Sequence, residues 1–130
     1  MAFEAVQIKI PGLKAGGDLR TKQFYAVKLS AADTVVVCAG TTDRPIGILQ
    51  NAPNTGGEAE VVCYGVTKVS ADAALSVVNQ IGTAADGQLA AYTPGTDTTK
   101  YICGIVLGAT GAGDEYATAL VDFANAARGA

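Results

Sequence analysis

Turn-forming residues interrupt this sequence so often that no regular element can run far before the chain bends. Pro11-Gly12, Gly16-Gly17-Asp18, Pro53-Asn54-Thr55-Gly56-Gly57, Asp86-Gly87, Pro94-Gly95 and Gly111-Ala112-Gly113 divide it into mostly short runs rich in Val, Ile, Thr and Ala. Glycine and Asp supply the backbone conformations of tight turns, and β-branched runs between such corners read as strands. The 130 residues suffice for one hydrophobic core. With no Trp and only 6% aromatics, that core is built from small side chains, as in a thin β-sandwich or barrel.

Along the chain, Phe3 to Ile10 alternates loosely and stops at Pro11-Gly12, so it reads as an extended arm or edge strand. Strands are predicted over 23–29 and 34–39 around a turn at Ser30-Ala31-Ala32-Asp33, with a polar corner over 40–44. A short strand over 46–49, a loop over 51–57 and a long strand over 58–69 follow. The two-residue period puts Glu58, Glu60 and Val62 on one face of that strand and Ala59, Val61 and Cys63 on the other. Ser70 can cap a short helix over 71–77, which carries Asp72 in its first turn. Asp86-Gly87 signals a hairpin between 80–83 and 88–92. Over 116–128 the pattern fits a strand followed by a loose tail, although Tyr116, Leu120 and Phe123 also fit a helical face.

A shift of 57 residues lays Gly47-Ile48-Leu49 on Gly104-Ile105-Val106, Ala52 on Ala109, Gly56 on Gly113 and Glu58 on Glu115. Two copies are fewer than a repeat array needs, so one pseudo-symmetric sheet or barrel is expected.

Chemistry has little to work with. The chain has no histidine, and Cys38, Cys63 and Cys103 lack Cys-x-x-Cys spacing and adjoining cations, so they read as small buried hydrophobes. The acid pairs Glu58 with Glu60 and Asp114 with Glu115 flank glycine turns and read as solvated hairpin ends. Gly108 to Gly113 lacks the Lys-Ser/Thr of a phosphate-binding loop, and Asp114-Glu115 would repel a phosphate. No enzyme activity, cofactor or metal is expected. The nine Lys and Arg are scattered, which argues against nucleic acid. The apolar runs are too short to span a bilayer and the first twenty residues lack a signal-peptide core, so no membrane role is expected and the chain should stay in the cytoplasm of the cell that makes it. Charged residues make up only 16%, a composition that favours packing against other protein.

One stretch resembles a known family. Arg44-Pro45-Ile46-Gly47-Ile48-Leu49-Gln50-Asn51-Ala52-Pro53, then Gly57-Glu58-Ala59-Glu60-Val61-Val62 and Tyr64-Gly65-Val66-Thr67-Lys68-Val69, is similar to the capsid decoration, or cement, proteins of tailed bacteriophages. The similarity continues more loosely from Ile81 to Leu107. It implies a mainly β fold of the β-tulip or compact barrel or sandwich kind, here with one short helix. It also implies a virion protein on the capsid exterior, a homo-trimer that staples subunits of the major capsid protein. An N-terminal arm (1–17) would precede a single β-rich domain (18–130), with Ala2, Phe3, Glu4, Ala5, Val6, Gln7, Ile8, Lys9 and Ile10 as the capsid-binding arm. Asn51, Pro53, Asn54 and Thr55 are the expected interface loop. Alternatives are a head-fibre base, a tail-tube component, or a carbohydrate-binding module using Tyr64, Tyr92, Tyr101 and Tyr116. The scarcity of aromatic rings disfavours the last.

Overall fold

The computed structural model describes residues 2–124 and 127–128. Among the described residues eleven strands follow one another: β1 (Gln7–Ala15), β2 (Ala26–Ala31), β3 (Thr34–Val37), β4 (Gly47–Leu49), β5 (Glu58–Ser70), β6 (Gln80–Thr83), β7 (Leu89–Ala91), β8 (Tyr101–Ile102), β9 (Gly104–Gly108), β10 (Tyr116–Asp122) and β11 (Ala127–Arg128). Nine form one sheet in the order β1-β3-β2-β4-β5-β10-β9-β6-β7, and β8 pairs with β11.

The first part of that sheet closes on itself. β1 pairs in parallel with β3 and antiparallel with β5, so β1, β3, β2, β4 and β5 form a ring without a gap. Every strand of the ring sends apolar side chains into one cluster: Leu13 and Ala15 from β1, Val27, Val35, Leu49, and Ala59 with Val61 from β5. A ring this small is filled by such side chains and needs no larger core.

β5 is thirteen residues long, which lets its C-terminal half open a second ring. There it pairs with β10, and the sheet continues through β9 and β6 to β7. A single parallel bridge, Ala71 to Leu89, returns to the end of β5. The 57-residue shift seen in the sequence carries the pair Leu13–Ala59 of the first ring onto Ser70–Tyr116 of the second. The same shift carries Lys14–Glu58 onto Ala71 and Glu115, where the Ala71 N–H donates to the Glu115 carbonyl at 2.9 Å. The molecule is thus two related five-strand units that use β5 in common.

β5 also explains the two cores. Ala59 and Val61 face the first ring's interior, while Val62 belongs to the second cluster with Val69, Leu75, Ile81, Leu89, Val106 and Val121. The two faces alternate as the sequence pattern requires only as far as Val62, where the face that starts wet at Glu58 and Glu60 is already dry because the second unit covers it; beyond the Cys63 bulge the buried side passes to Gly65, Thr67 and Val69. Two bulges adjust β1 to β5: Cys63 is the extra residue between the pairs Ile8–Tyr64 and Lys9–Val62, and Pro11-Gly12 the irregularity before Leu13–Ala59. Proline has no N–H to give a ladder, and Gly12 takes φ 78°, so this dipeptide fits a bulge and no regular strand position.

The helix expected over 71–77 does not form; the described residues contain no helix. Ser70 ends β5, and the amides that a helix would use go elsewhere: Asp72 N–H to the Leu89 carbonyl at 2.9 Å and Leu75 N–H to the Thr110 carbonyl at 3.2 Å. Nucleating so short a helix is unfavourable, whereas the extended path buries Ala71 and Leu75 completely or nearly so. β2 begins three residues later than predicted because Phe24 takes a positive φ of 67°. The β2–β3 corner tightens to Ala32-Asp33, with Asp33 at φ 58°. Tyr116–Asp122 is strand and not helix, since β5 and β9 pair with it on both edges.

Candidate binding face

Large apolar side chains left in solvent are concentrated, and the pairing explains where. In an antiparallel sheet, directly opposed residues point to the same side. Ile8, Tyr64 and Asp122 therefore share one row, and Val66, Leu120 and Ile105 share the next. The interior neighbours Ala119, Val121 and Val106 take the other side. On the outward side Ile8 is 56% exposed, Tyr64 47% and Leu120 38%. Tyr116 lies further along the same side of β10, and Leu107 stands exposed in the β9 bulge beside it. The face has its charges at opposite ends: Lys68 in the row of Thr118, and Asp122 in the row of Tyr64.

The N-terminal residues border this face. The Ala5 N–H donates to the Val66 carbonyl at 3.1 Å, and the Val66 N–H to the Val6 carbonyl at 3.2 Å, so the strap follows the β5 edge that β1 uses. It then crosses β5, because the Phe3 N–H donates to Thr118 Oγ1 on β10 at 2.9 Å. Phe3 to Val6 are all exposed, with Val6 at 86%. Of the segment expected to extend as a free arm, Gln7 to Ile10 are thus part of β1 and paired with β5 residues Gly65, Tyr64, Val62 and Val61. The reason lies in the closed ring, which needs β1 as its fifth strand. Only Ala2 to Val6 lie outside a strand and bury little.

The expected interface loop sits elsewhere. Asn51 uses its side chain to start β5, donating from Nδ2 to the Glu58 carbonyl at 2.9 Å and accepting the Glu60 N–H at 3.0 Å. The Pro53 carbonyl accepts the Leu19 N–H at 2.9 Å, and Asn54 and Thr55 are exposed at the tip. The neighbouring Gly56 N–H donates to the Ala15 carbonyl, at the far end of β1 from Ile8. The structure does not bring this loop to the apolar face. Of the four tyrosines considered as a sugar platform, Tyr64 and Tyr116 are on the face, whereas Tyr92 is buried and Tyr101 packs against the core under Arg44.

Titratable groups gather in one place, the seam of the second ring. Gln88 Nε2 donates to Asp114 Oδ1 at 2.8 Å and to Ser70 Oγ at 3.0 Å, and the Gln88 N–H donates to Asp86 Oδ1 at 3.0 Å. Desolvation, then the charges of Asp86 and Asp114, raise the Asp72 carboxyl above its ordinary range. Among the described residues no set of three or more His, Cys, Asp or Glu side chains is placed to hold a metal ion. Burial pushes the thiols of Cys38 and Cys103 up to about 12, which leaves both un-ionised and poor nucleophiles. Cys63, in its bulge, is half-buried and donates to the Ile8 carbonyl at 3.5 Å. A thiol reagent at neutral pH is therefore expected to titrate one cysteine in the native protein and all three after denaturation. Rapid native reaction of two or more would show that the core opens readily.

No family model matches this chain, and no curated protein matches it. Among solved structures the chain is similar to the head fiber gp8.5 N base of bacteriophage phi29, with a TM-score of 0.61 and 15% sequence identity. The match covers 91% of this chain and 94% of that one. At that identity the likeness is one of fold.

Proposed function

We propose that this chain is a structural component of a tailed-bacteriophage particle, mounted on the outside of the head and working by binding rather than by turnover. The observation that carries the reading is the near-complete mutual coverage with a head-fibre base, in which neither chain has a large part that the other lacks. Two further observations support it: the decoration-protein pattern over 44–69, which falls on β4 and β5, and an exposed apolar face on a chain with few charges. The fold likeness favours a base that carries or anchors a fibre over a cement that staples neighbouring subunits. In either role the partner is the major capsid protein.

The strap is the part suited to that partner. Two backbone–backbone hydrogen bonds, the Phe3 N–H bond to Thr118 Oγ1 and an exposed Gln7–Glu4 side-chain bond hold it, and its side chains are largely in solvent, so it can leave β5 at small cost and pair with a sheet edge of the shell. Because Gln7 to Gly12 belong to the ring, the informative truncation removes residues 2–5 and no more. The truncated protein is expected to keep its fold and unfolding midpoint while losing at least tenfold in affinity for purified heads, measured by co-sedimentation. Undiminished sedimentation with heads would remove the strap from the interface. Failure of the intact protein to sediment with heads of the phage that encodes it would remove the particle reading.

A further inference from the structure

We infer that the Val77-Val78 tip, on the turn that leads into β6, makes a second contact with the shell surface that takes the strap. The inference rests on the particle reading and names a further part of the same interface, one made of apolar side chains where the strap offers backbone.

Val78 carries the argument. It takes a positive φ of 60°, a conformation that glycine and asparagine tolerate and a β-branched residue rarely adopts. Hydrogen bonds on both sides hold it there. The Asn79 N–H donates to the Ser76 carbonyl at 3.1 Å, and the Ser76 N–H to Asn79 Oδ1 at 2.9 Å. From β9, the Val106 carbonyl accepts the Val78 N–H at 2.8 Å, and the Val106 N–H donates to the Asn79 carbonyl at 2.9 Å. Yet the side chain on this strained backbone packs little within the protein, since Val78 is 73% exposed and Val77 53%. Stability therefore does not account for valine at this position. Strain kept where the side chain stands in solvent points to a contact outside the molecule.

The place of the tip in the fold selects the occupant. The strap reaches β10 at Thr118, which pairs with Gly108 of β9. Next to Gly108, Leu107 is 44% exposed, and Val106 holds the tip. Ala2, in the strap, lines a cleft with Ala109, Thr110 and Gly111, and the Thr110 N–H donates to the Leu75 carbonyl at 2.9 Å. Strap and tip are thus continuous through β9 and the loop that follows it, so a partner that takes the strap also meets the tip. Residues 73–85 and 101–113, which form the tip and its support, contain no charge, so docking the tip against protein desolvates no ion of its own.

The test is co-sedimentation of the purified full chain with heads, alongside a thermal melt. Val78→Asn suits the left-handed turn and replaces the apolar side chain by a polar one. Combined with Val77→Ser, it should lower the affinity for heads at least about tenfold, as expected on removing two valine side chains from a buried contact. Val78→Asn alone should hold or raise the unfolding midpoint, because strain is relieved; Val78→Gly is the second variant should the first fold poorly. Equal sedimentation of the unmodified protein and the double variant with heads would overturn this inference and leave the particle reading intact, whereas an unmodified protein that ignores heads would remove both. A lowered midpoint in both Val78 variants would also overturn it, by giving the valine a role inside the fold. So would self-association of the free chain that the double variant abolishes, since the tip would then face a second copy.

Discussion

Gly47→Ala and Gly104→Ala are each expected to destabilise the protein by about 2–4 kcal/mol, lowering the unfolding midpoint by roughly 8–15 °C. The reason is proximity and not backbone angle. A Cβ at Gly47 would meet Val61 Cγ1 and lie 2.5 Å from the Val62 carbonyl oxygen. At Gly104 it would meet the Leu120 carbonyl oxygen and lie 3.1 Å from Val121 Cα. Main-chain atoms of a paired strand cannot step aside without breaking the ladder. The two glycines correspond under the 57-residue shift and meet corresponding strands, β5 and β10, so their effects should be similar. Gly17→Ala, with nothing within 4 Å, is the control and should change stability by no more than about 0.5 kcal/mol. A thermal melt of the three variants decides it. A harmless Gly104→Ala beside a damaging Gly47→Ala would argue against structural equivalence of the two units.

Leu49→Ala and Leu89→Ala are each expected to cost about 2.5–5 kcal/mol, the range for removing most of a fully buried leucine from a core that relaxes only in part. Both side chains are completely buried, Leu49 in the first cluster and Leu89 in the second. Urea unfolding should remain a single transition in both variants, with the midpoint lowered and the slope unchanged. β5 supplies Ala59 and Val61 to one core and Val62 and Val69 to the other, so neither unit can lose its packing without the other losing a wall. A biphasic curve for Leu89→Ala, with a surviving first ring, would sink this account.

The hairpin equivalence was legible because it is written in residues with local meaning. Glycine followed by two branched apolar residues recurs at 47 and 104, and each glycine sits where a side chain has no room. The Gln80–Thr83 strand and its Asp86-Gly87 turn were legible for a similar reason: Gly87 takes φ 87°, and a Cβ there would meet Val37 and the Cys38 carbonyl. The misread helix shows the limit. Ala-rich residues after a serine carry a helical propensity, yet tertiary bonds to Leu89 and Thr110 decide the path. Alternation likewise told which residues of β5 oppose one another, but not that a second unit would cover Val62 and leave Tyr64 in solvent. The apolar face was invisible for this reason. Its residues lie on separate strands, from Ile8 to Leu120, and only the register brings them into adjacent rows. Asn51 looked like a contact residue of an exposed loop, and its side chain is instead spent on the backbone of β5.

A strand common to both rings also sets how the molecule carries load. Tension applied through the N-terminus along β1 acts parallel to its ladder with β5, which spans the pairs from Gln7–Gly65 to Lys14–Glu58. Those bonds are strained together in shear and cannot be unzipped one after another. The pull continues along the same backbone into the half of β5 that pairs with β10, so one covalently continuous strand runs through both rings.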